Sequence, residues 1–197
     1  VSFTSVIKGD VENGFRNSDI IVEQDYSTQC VDHAYLETEA GLAYCDPDGV
    51  LVVKSCDQDI THHRMLLAKI LDMPINKIRV IMTPVGGGFG GKEDVTVQHH
   101  AALCALLTGR PVKCKLTRQE SILVHPKRHP MDMEFTLGCD ENGIIQGVKA
   151  KVVADTGAYA SLGGPVLERA CTHAAGPYNY QNFEIDGYAW YTNNPPG

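Results

Sequence analysis

A chain of 197 residues with 43% hydrophobic and 21% charged residues holds enough apolar material for an ordinary core, which excludes wholesale disorder. Its net charge of −7, with no basic stripe, excludes a nucleic-acid partner, because neutralising phosphates needs clustered Lys and Arg. Its apolar runs fall far short of the roughly 20 residues of a membrane span, so no membrane partner is expected. Seven cysteines with no CxxC pair fit the small buried thiols of a reduced, cytoplasmic protein.

In chain order, residues 20–26 begin with β-branched residues and read as a strand. Residues 41–44 and 50–54 flank Asp46-Pro47-Asp48-Gly49, a strong turn signal, and predict a hairpin. Over 59–71 the apolar positions Ile60, Leu66, Leu67, Ile70 and Leu71 recur at near-helical spacing before Pro74. Residues 77–83 return to strand character. A glycine-rich stretch follows, and Asp94 is placed to cap a helix that runs to 108 and stops at Gly109.

Residues 111–116 predict a strand. Thr117 and Glu120 have capping-box spacing ahead of a short helix closed by Pro126. The clearest hairpin joins 131–139 to 144–154 through Asp140-Glu141-Asn142-Gly143. In its first strand Met131, Met133, Phe135 and Leu137 alternate with polar residues, so one face is expected to be buried. A helical turn at 166–174 and a strand at 183–191 complete the pattern. Strands and hairpins mixed with helical crossovers imply an α+β fold. With no convincing linker, residues 1–197 read as a single partial domain. The chain opens on Val1 and stops in a Pro- and Asn-rich loop, and is expected to be a fragment of something longer.

The stretch VGGGFGGKED (residues 85–94) lies between a predicted strand and a predicted helix, where backbone N–H groups and a helix dipole can meet an anion. Gly86 to Lys92 satisfy most of a Walker A pattern, but Glu93 stands where a hydroxyl should meet Mg²⁺. Gly86, Gly88 and Gly91 match GxGxxG, yet no carboxylate follows about 20 residues on. A nucleotide site and a tight turn without a ligand remain open on the residues alone. His62-His63 and His99-His100 are adjacent in predicted helices and so diverge by about 100°; they read as packed or solvated side chains, and no protein metal ligand is assigned.

GGGFGGKE resembles the cofactor loop of the molybdenum hydroxylases, the xanthine dehydrogenase and aldehyde oxidase family. VDHAYLET (31–38), TGRPVK (108–113), KRHP (127–130), LER (167–169) and TNNPPG (192–197) follow in that family's order. The resemblance implies part of a domain binding molybdenum–molybdopterin, with the metal held by the pterin. Gln58, Gly87, Gly88, Phe89 and Gly90 would meet the cofactor: the glycines through backbone amides, Phe89 as an apolar wall, Gln58 through its side-chain amide. Glu93 and Arg169 would bind a purine-like or other N-heterocyclic substrate, together polarising it as hydride leaves carbon.

Further implications concern the whole enzyme. It would hydroxylate an electron-poor C–H carbon with water-derived oxygen and pass electrons through [2Fe–2S] clusters to FAD on iron–sulfur and flavin subunits or domains, in an oligomer. No catalytic base is assigned within residues 1–197, so the fragment alone is expected to be inactive. Asp57, where the family usually has Thr, must point away from an anionic cofactor. The alternatives are a nucleotide-binding domain and a non-catalytic assembly domain.

Overall fold

A computed structural model describes residues 2–197 as two compact units, one formed by residues 2–31 with 129–197 and the other by Asp32–Arg128. Both contain a mixed sheet with helices packed on it, as the α+β reading expects.

The first unit contains β1 (Ser2–Lys8), α1 (Val11–Arg16), β2 (Ile20–Thr28), and, after the second unit, β7 (Met131–Cys139), β8 (Ile145–Gly157), α5 (Gly163–His173) and β9 (Phe183–Tyr191). Its strands run in the order β1-β9-β8-β7-β2. The β7–β8 hairpin turns where Asp140 Oδ1 accepts from the amides of Asn142 and Ile144, each at 2.9 Å. The chain leaves β8, forms α5 and returns as β9 parallel to β8, because a parallel partner cannot be reached by a tight turn. Leu167 and Cys171 of α5 are buried with Val152, Ala154, Ile185 and Ala189.

The expected alternation in β7 is only half realised. Asp132 and Glu134 are exposed, but Met131, Met133, Phe135 and Leu137 are half-buried. The long helix α5 packs on β1, β9 and β8, and the short α1 packs on β8 and β7. Edge strand β2 is exposed throughout. Strand β1 and helix α1 were not anticipated from the sequence. Helix α1 is short, and β1 alternates only weakly in its burial.

The second unit contains β3 (Ala40–Cys45), β4 (Leu51–Ser55), α2 (Ile60–Ile70), β5 (Ile78–Met82), α3 (Gln98–Thr108), β6 (Val112–Lys115) and α4 (Arg118–Val124). A 3-10 turn at Ile75–Lys77 leads into β5. The sheet order is β5-β4-β3-β6. Asp46 closes the β3–β4 turn, its side chain accepting from Asp48 and Val50 amides at 3.1 and 2.9 Å. Asp59 caps α2 by accepting from the His62 amide at 2.9 Å, and the Thr117–Glu120 capping box opens α4. Ala43, Leu51, Val53, Leu67, Ile78, Ala101, Ala102 and Ala105 form the core between sheet and helices. Truncating a fully buried leucine such as Leu67 costs about 2–5 kcal/mol in a packed interior.

Two features position the site. Strands β4 and β5 are parallel, with Ser55 paired to Met82, so the segments after them leave the same end of the sheet. In open α/β sheets that end forms the ligand crevice. The helix after the glycine loop begins at Gln98 and not at Asp94, which corrects the sequence expectation. The residues leading into it are organised by Gln98, whose Oε1 accepts from the amides of Thr96 and Val97 at 2.7 and 3.0 Å. A helix dipole acts only within its first turn. The loop therefore relies on its own amides.

Candidate functional site

Gln58 leaves the end of β4 and residues 86–93 leave the end of β5, which brings them together. Gln58 Oε1 accepts from the amides of Gly90 and Lys92, both at 3.1 Å, and the Gln58 amide donates to the Lys92 carbonyl at 3.0 Å. Two facing donors dictate which end of the side-chain amide is oxygen. The Nε2 donors of Gln58, an exposed residue, have no partner among the described residues.

The turn beside it is tightly constrained. Gly87 and Gly90 both have φ of +95° and Phe89, between them, has φ of +55°. The left-handed region is costly for a bulky side chain, and the Phe89 side chain is nevertheless 74% exposed. A Cβ added to Gly88 would lie 2.2 Å from Gln58 Oε1, so only glycine allows this approach.

Of the loop amides, Gly86 donates to Glu37 Oε2 at 2.8 Å and Gly91 to the Gly88 carbonyl at 2.9 Å. Gly90 is committed to Gln58, so its N–H is not offered outward as the sequence had suggested. The amides of Gly87, Gly88 and Phe89 donate to nothing among the described residues.

Lys92 lies beneath the loop. Its side chain is 2% exposed, and its ammonium donates to Glu37 Oε2 at 2.9 Å while lying 4.7 Å from the centre of the Tyr35 ring. Burial raises the Glu37 carboxyl, but the Lys92 and Gly86 donors outweigh this and hold it below the usual carboxylate range. A lysine spent in this way cannot cradle a phosphate, which disfavours the Walker A reading.

Asp57 points away from the loop's open face, as an anionic ligand requires. It has no exposed side-chain surface. Its Oδ1 accepts from Gln98 Nε2 at 2.6 Å, and its Oδ2 takes the Ser55 hydroxyl and lies 2.9 Å from His63 Nδ1. His62 is half-buried and His63 fully buried, as divergent helix neighbours should be. The His99 and His100 rings instead approach to 3.9 Å between centroids, brought together by their side-chain torsions.

Glu93 is half-buried, its carbonyl 2.7 Å from His63 Nε2 and its carboxylate without a partner among the described residues. Gln58, Gly87, Gly88, Phe89, Gly90 and Glu93 thus share one neighbourhood in the second unit. Arg169 belongs to the first unit, on α5, exposed and with its guanidinium unpaired among the described residues. Sequence reading missed Glu37, Lys92, His63 and Gln98 as supports of the loop. For Glu37 and Lys92 the available signal was their place inside VDHAYLET and GGGFGGKE.

The loop fits an anionic ligand rich in oxygens. It offers three amides, those of Gly87, Gly88 and Phe89, unpaired among the described residues, and the Gln58 side-chain amide, while the nearby carboxylates of Glu37 and Asp57 are consumed by internal donors.

The molybdopterin cofactor-binding domain family matches residues 2–197. The chain is 45% identical over 186 residues to a probable xanthine dehydrogenase subunit of Bacillus subtilis (strain 168), covering 94% of this chain and 25% of that protein. It is 43% identical over 187 residues to the nicotinate dehydrogenase large molybdopterin subunit of Eubacterium barkeri, covering 95% of this chain and 44% of that one. The solved structure of aldehyde oxidoreductase from Desulfovibrio gigas superposes with a TM-score of 0.92 at 25% identity, covering 99% of this chain and 22% of that chain. The chain therefore spans less than half the length of each of these relatives.

Proposed function

The chain belongs to the molybdopterin cofactor-binding domain family of the molybdenum hydroxylases, and from that premise we propose that it is the part of such an enzyme that binds molybdenum–molybdopterin for the hydroxylation of a purine or related N-heterocycle. The observation that carries this reading is the exposed, left-handed Phe89 held between glycines beside Gln58. Backbone strain of this kind persists only where surrounding structure enforces it, and it concentrates at ligand sites.

When bound, the cofactor supplies two-electron oxidation of an electron-poor C–H carbon, with oxygen derived from water. The residues of this chain bind and orient. Gly87, Gly88 and Phe89 would hold the cofactor's oxygens through their amides, and Gln58 would add its side-chain donor. Gly90 holds Gln58 in place through its own amide. The Phe89 ring supplies an apolar wall that excludes water, which strengthens every polar contact behind it.

Glu93 is proposed as a substrate contact because its carboxylate is unspent and sits on the same loop. Arg169, also unspent, is proposed as a second contact on chemical grounds, since a guanidinium stabilises charge developing on a heterocycle's oxygen. The N-heterocycle reading is supported by the relatives named for xanthine and nicotinate. Iron–sulfur and flavin subunits or domains are the proposed electron path, within an oligomer, and the cytoplasm is the proposed compartment.

Glu93→Ala in the complete enzyme is expected to lower kcat/KM for purines by about tenfold to a hundredfold, the loss of one charged contact in the transition state, with bound molybdenum retained. Steady-state kinetics alongside metal analysis checks this, and unchanged kinetics would remove Glu93 from the site.

A further inference from the structure

Asp57 and His63 form an ion pair in which neither side chain has any exposed surface. His63 lies in the first turn of α2, yet both of its ring nitrogens are directed at groups outside that helix. Nδ1 is 2.9 Å from Asp57 Oδ2, and Nε2 is 2.7 Å from the Glu93 carbonyl, across 30 residues of sequence. A carboxylate and a backbone carbonyl can only accept, and a neutral imidazole has a single N–H to give. Nε2 therefore carries the N–H given to Glu93, while Nδ1 faces the Asp57 carboxylate as an ion-pair contact without an aligned hydrogen bond. Asp57 remains a carboxylate because Gln98 Nε2, at 2.6 Å, and the Ser55 hydroxyl also donate to it.

The contacts of Asp57 and its neighbour Gln58 hold residues 90–97 along most of their length. Gln58 takes the amides of Gly90 and Lys92 and returns its own to the Lys92 carbonyl. His63 takes the Glu93 carbonyl. Gln98, bonded to Asp57, takes the amides of Thr96 and Val97. A histidine serving only the core would bond within its own packing layer. This one bonds to the backbone of the residue proposed to meet substrate.

We propose that His63, donating from Nε2 to the Glu93 carbonyl and flanked by Asp57, is a positioning residue that sets Glu93 in register with Gln58, so that the substrate-facing and cofactor-facing residues move as one unit. The inference rests on the reading of Glu93 and Gln58 given above. The electrostatics agree with it. Burial opposes a charged ring, but the hydrogen bond and charge of Asp57, supported by the Glu93 carbonyl and the charge of Asp59, raise His63 above the ordinary histidine range. Burial likewise pushes Asp57 up, and the donors from His63, Ser55 and Gln98 bring it below the usual carboxylate range.

The test uses the complete enzyme carrying His63→Phe, which keeps a ring in the interior and donates nothing, or Asp57→Asn, which leaves a neutral His63 able to donate from Nε2. Hydrogen exchange of residues 86–98, read by mass spectrometry, is expected to accelerate about tenfold or more in His63→Phe, the loss of a charge-assisted bond. Asp57→Asn should stay within about threefold of the parent, because the bond to Glu93 survives. The kcat/KM of His63→Phe for a purine should fall about tenfold, and His63→Phe should have no further effect when added to Glu93→Ala.

Unchanged exchange in a folded His63→Phe enzyme overturns the proposal, as does an equal kinetic loss on the Glu93→Ala background. Should His63→Phe not fold, His63→Gln, polar but too short to span both partners, is read by the same comparison. Faster exchange together with unchanged kinetics in Glu93→Ala would remove the substrate reading while supporting the positioning of the loop by His63.

Discussion

Between Gly86 and Gly90 the amides of Gly87, Gly88 and Phe89 donate to nothing among the described residues, and Phe89 is exposed in a left-handed conformation. From Gly91 to Gln98 the same loop is built in the opposite way. Lys92 is buried against Glu37, the Glu93 carbonyl is taken by His63, and Gln98 is buried against Asp57. One arm keeps its donors free and tolerates strain; the other is tied to the fold by buried side chains. The difference shows that display and anchorage are separable along a single loop, because the strain in one arm persists only if the other over-determines the backbone.

That contrast can be broken most forcefully on the anchored arm. Asp57→Ala leaves His63 and Gln98 without their buried acceptor and is expected to cost about 3–5 kcal/mol, the usual penalty for orphaning one member of a buried pair. It would be read as a lower unfolding midpoint of the complete subunit. Gly88→Ala acts where the two arms meet. Its Cβ must displace Gln58 Oε1 and free the amides of Gly90 and Lys92, a cost of about 1–3 kcal/mol. Molybdenum bound per purified subunit should fall accordingly, by about tenfold.

The displaying arm should respond with the opposite sign. Phe89→Gly relieves a left-handed aromatic, and the gain exceeds the added chain entropy by a few tenths to about 1 kcal/mol. The unfolding midpoint should rise slightly while turnover falls.

A pH titration sharpens the same comparison, since residues 86–90 carry no titratable side chain and the anchored arm rests on an acid and a histidine. Asp57 is depressed in the folded chain, so its contribution is present above the unfolded carboxylate value and is lost as pH falls through the folded one. His63 is raised, so its contribution is complete below the unfolded histidine value and is lost as pH rises through the folded one. The unfolding midpoint should therefore draw most on this pair between about pH 4 and 6.5 and should decline on both sides.

Much of this architecture was legible because its signals are local. Asp46-Pro47-Asp48-Gly49 and Asp140-Glu141-Asn142-Gly143 carry their own turn chemistry, and each hairpin formed around them. Thr117 and Glu120 cap each other within one turn. Periodicity located α2, and Asp59 and Pro74 bracketed it. Asp94 misled for the same reason: it looks like a local cap, but the helix start is decided by Gln98, which answers to Asp57 41 residues away. The α1 helix, of 6 residues, is too short for its period to register.

The site divides along the same line. Glycine spacing and the family's ordered motifs already pointed to the residues proposed to meet the cofactor, because a loop that must bring backbone close to a ligand can be written only in glycine. Strand pairing, by contrast, is a choice among distant partners, and nothing local in β8 states that β9 will lie parallel to it. The inward turn of Asp57, the bond from His63 to the Glu93 carbonyl and the burial of Lys92 follow from β4 and β5 ending side by side. By itself the sequence determined most of the elements, the family and the displaying glycines, all encoded within a few residues of one another. Only the tertiary structure decided which charges are buried as anchors, because the desolvation that makes them so exists only once distant segments have packed.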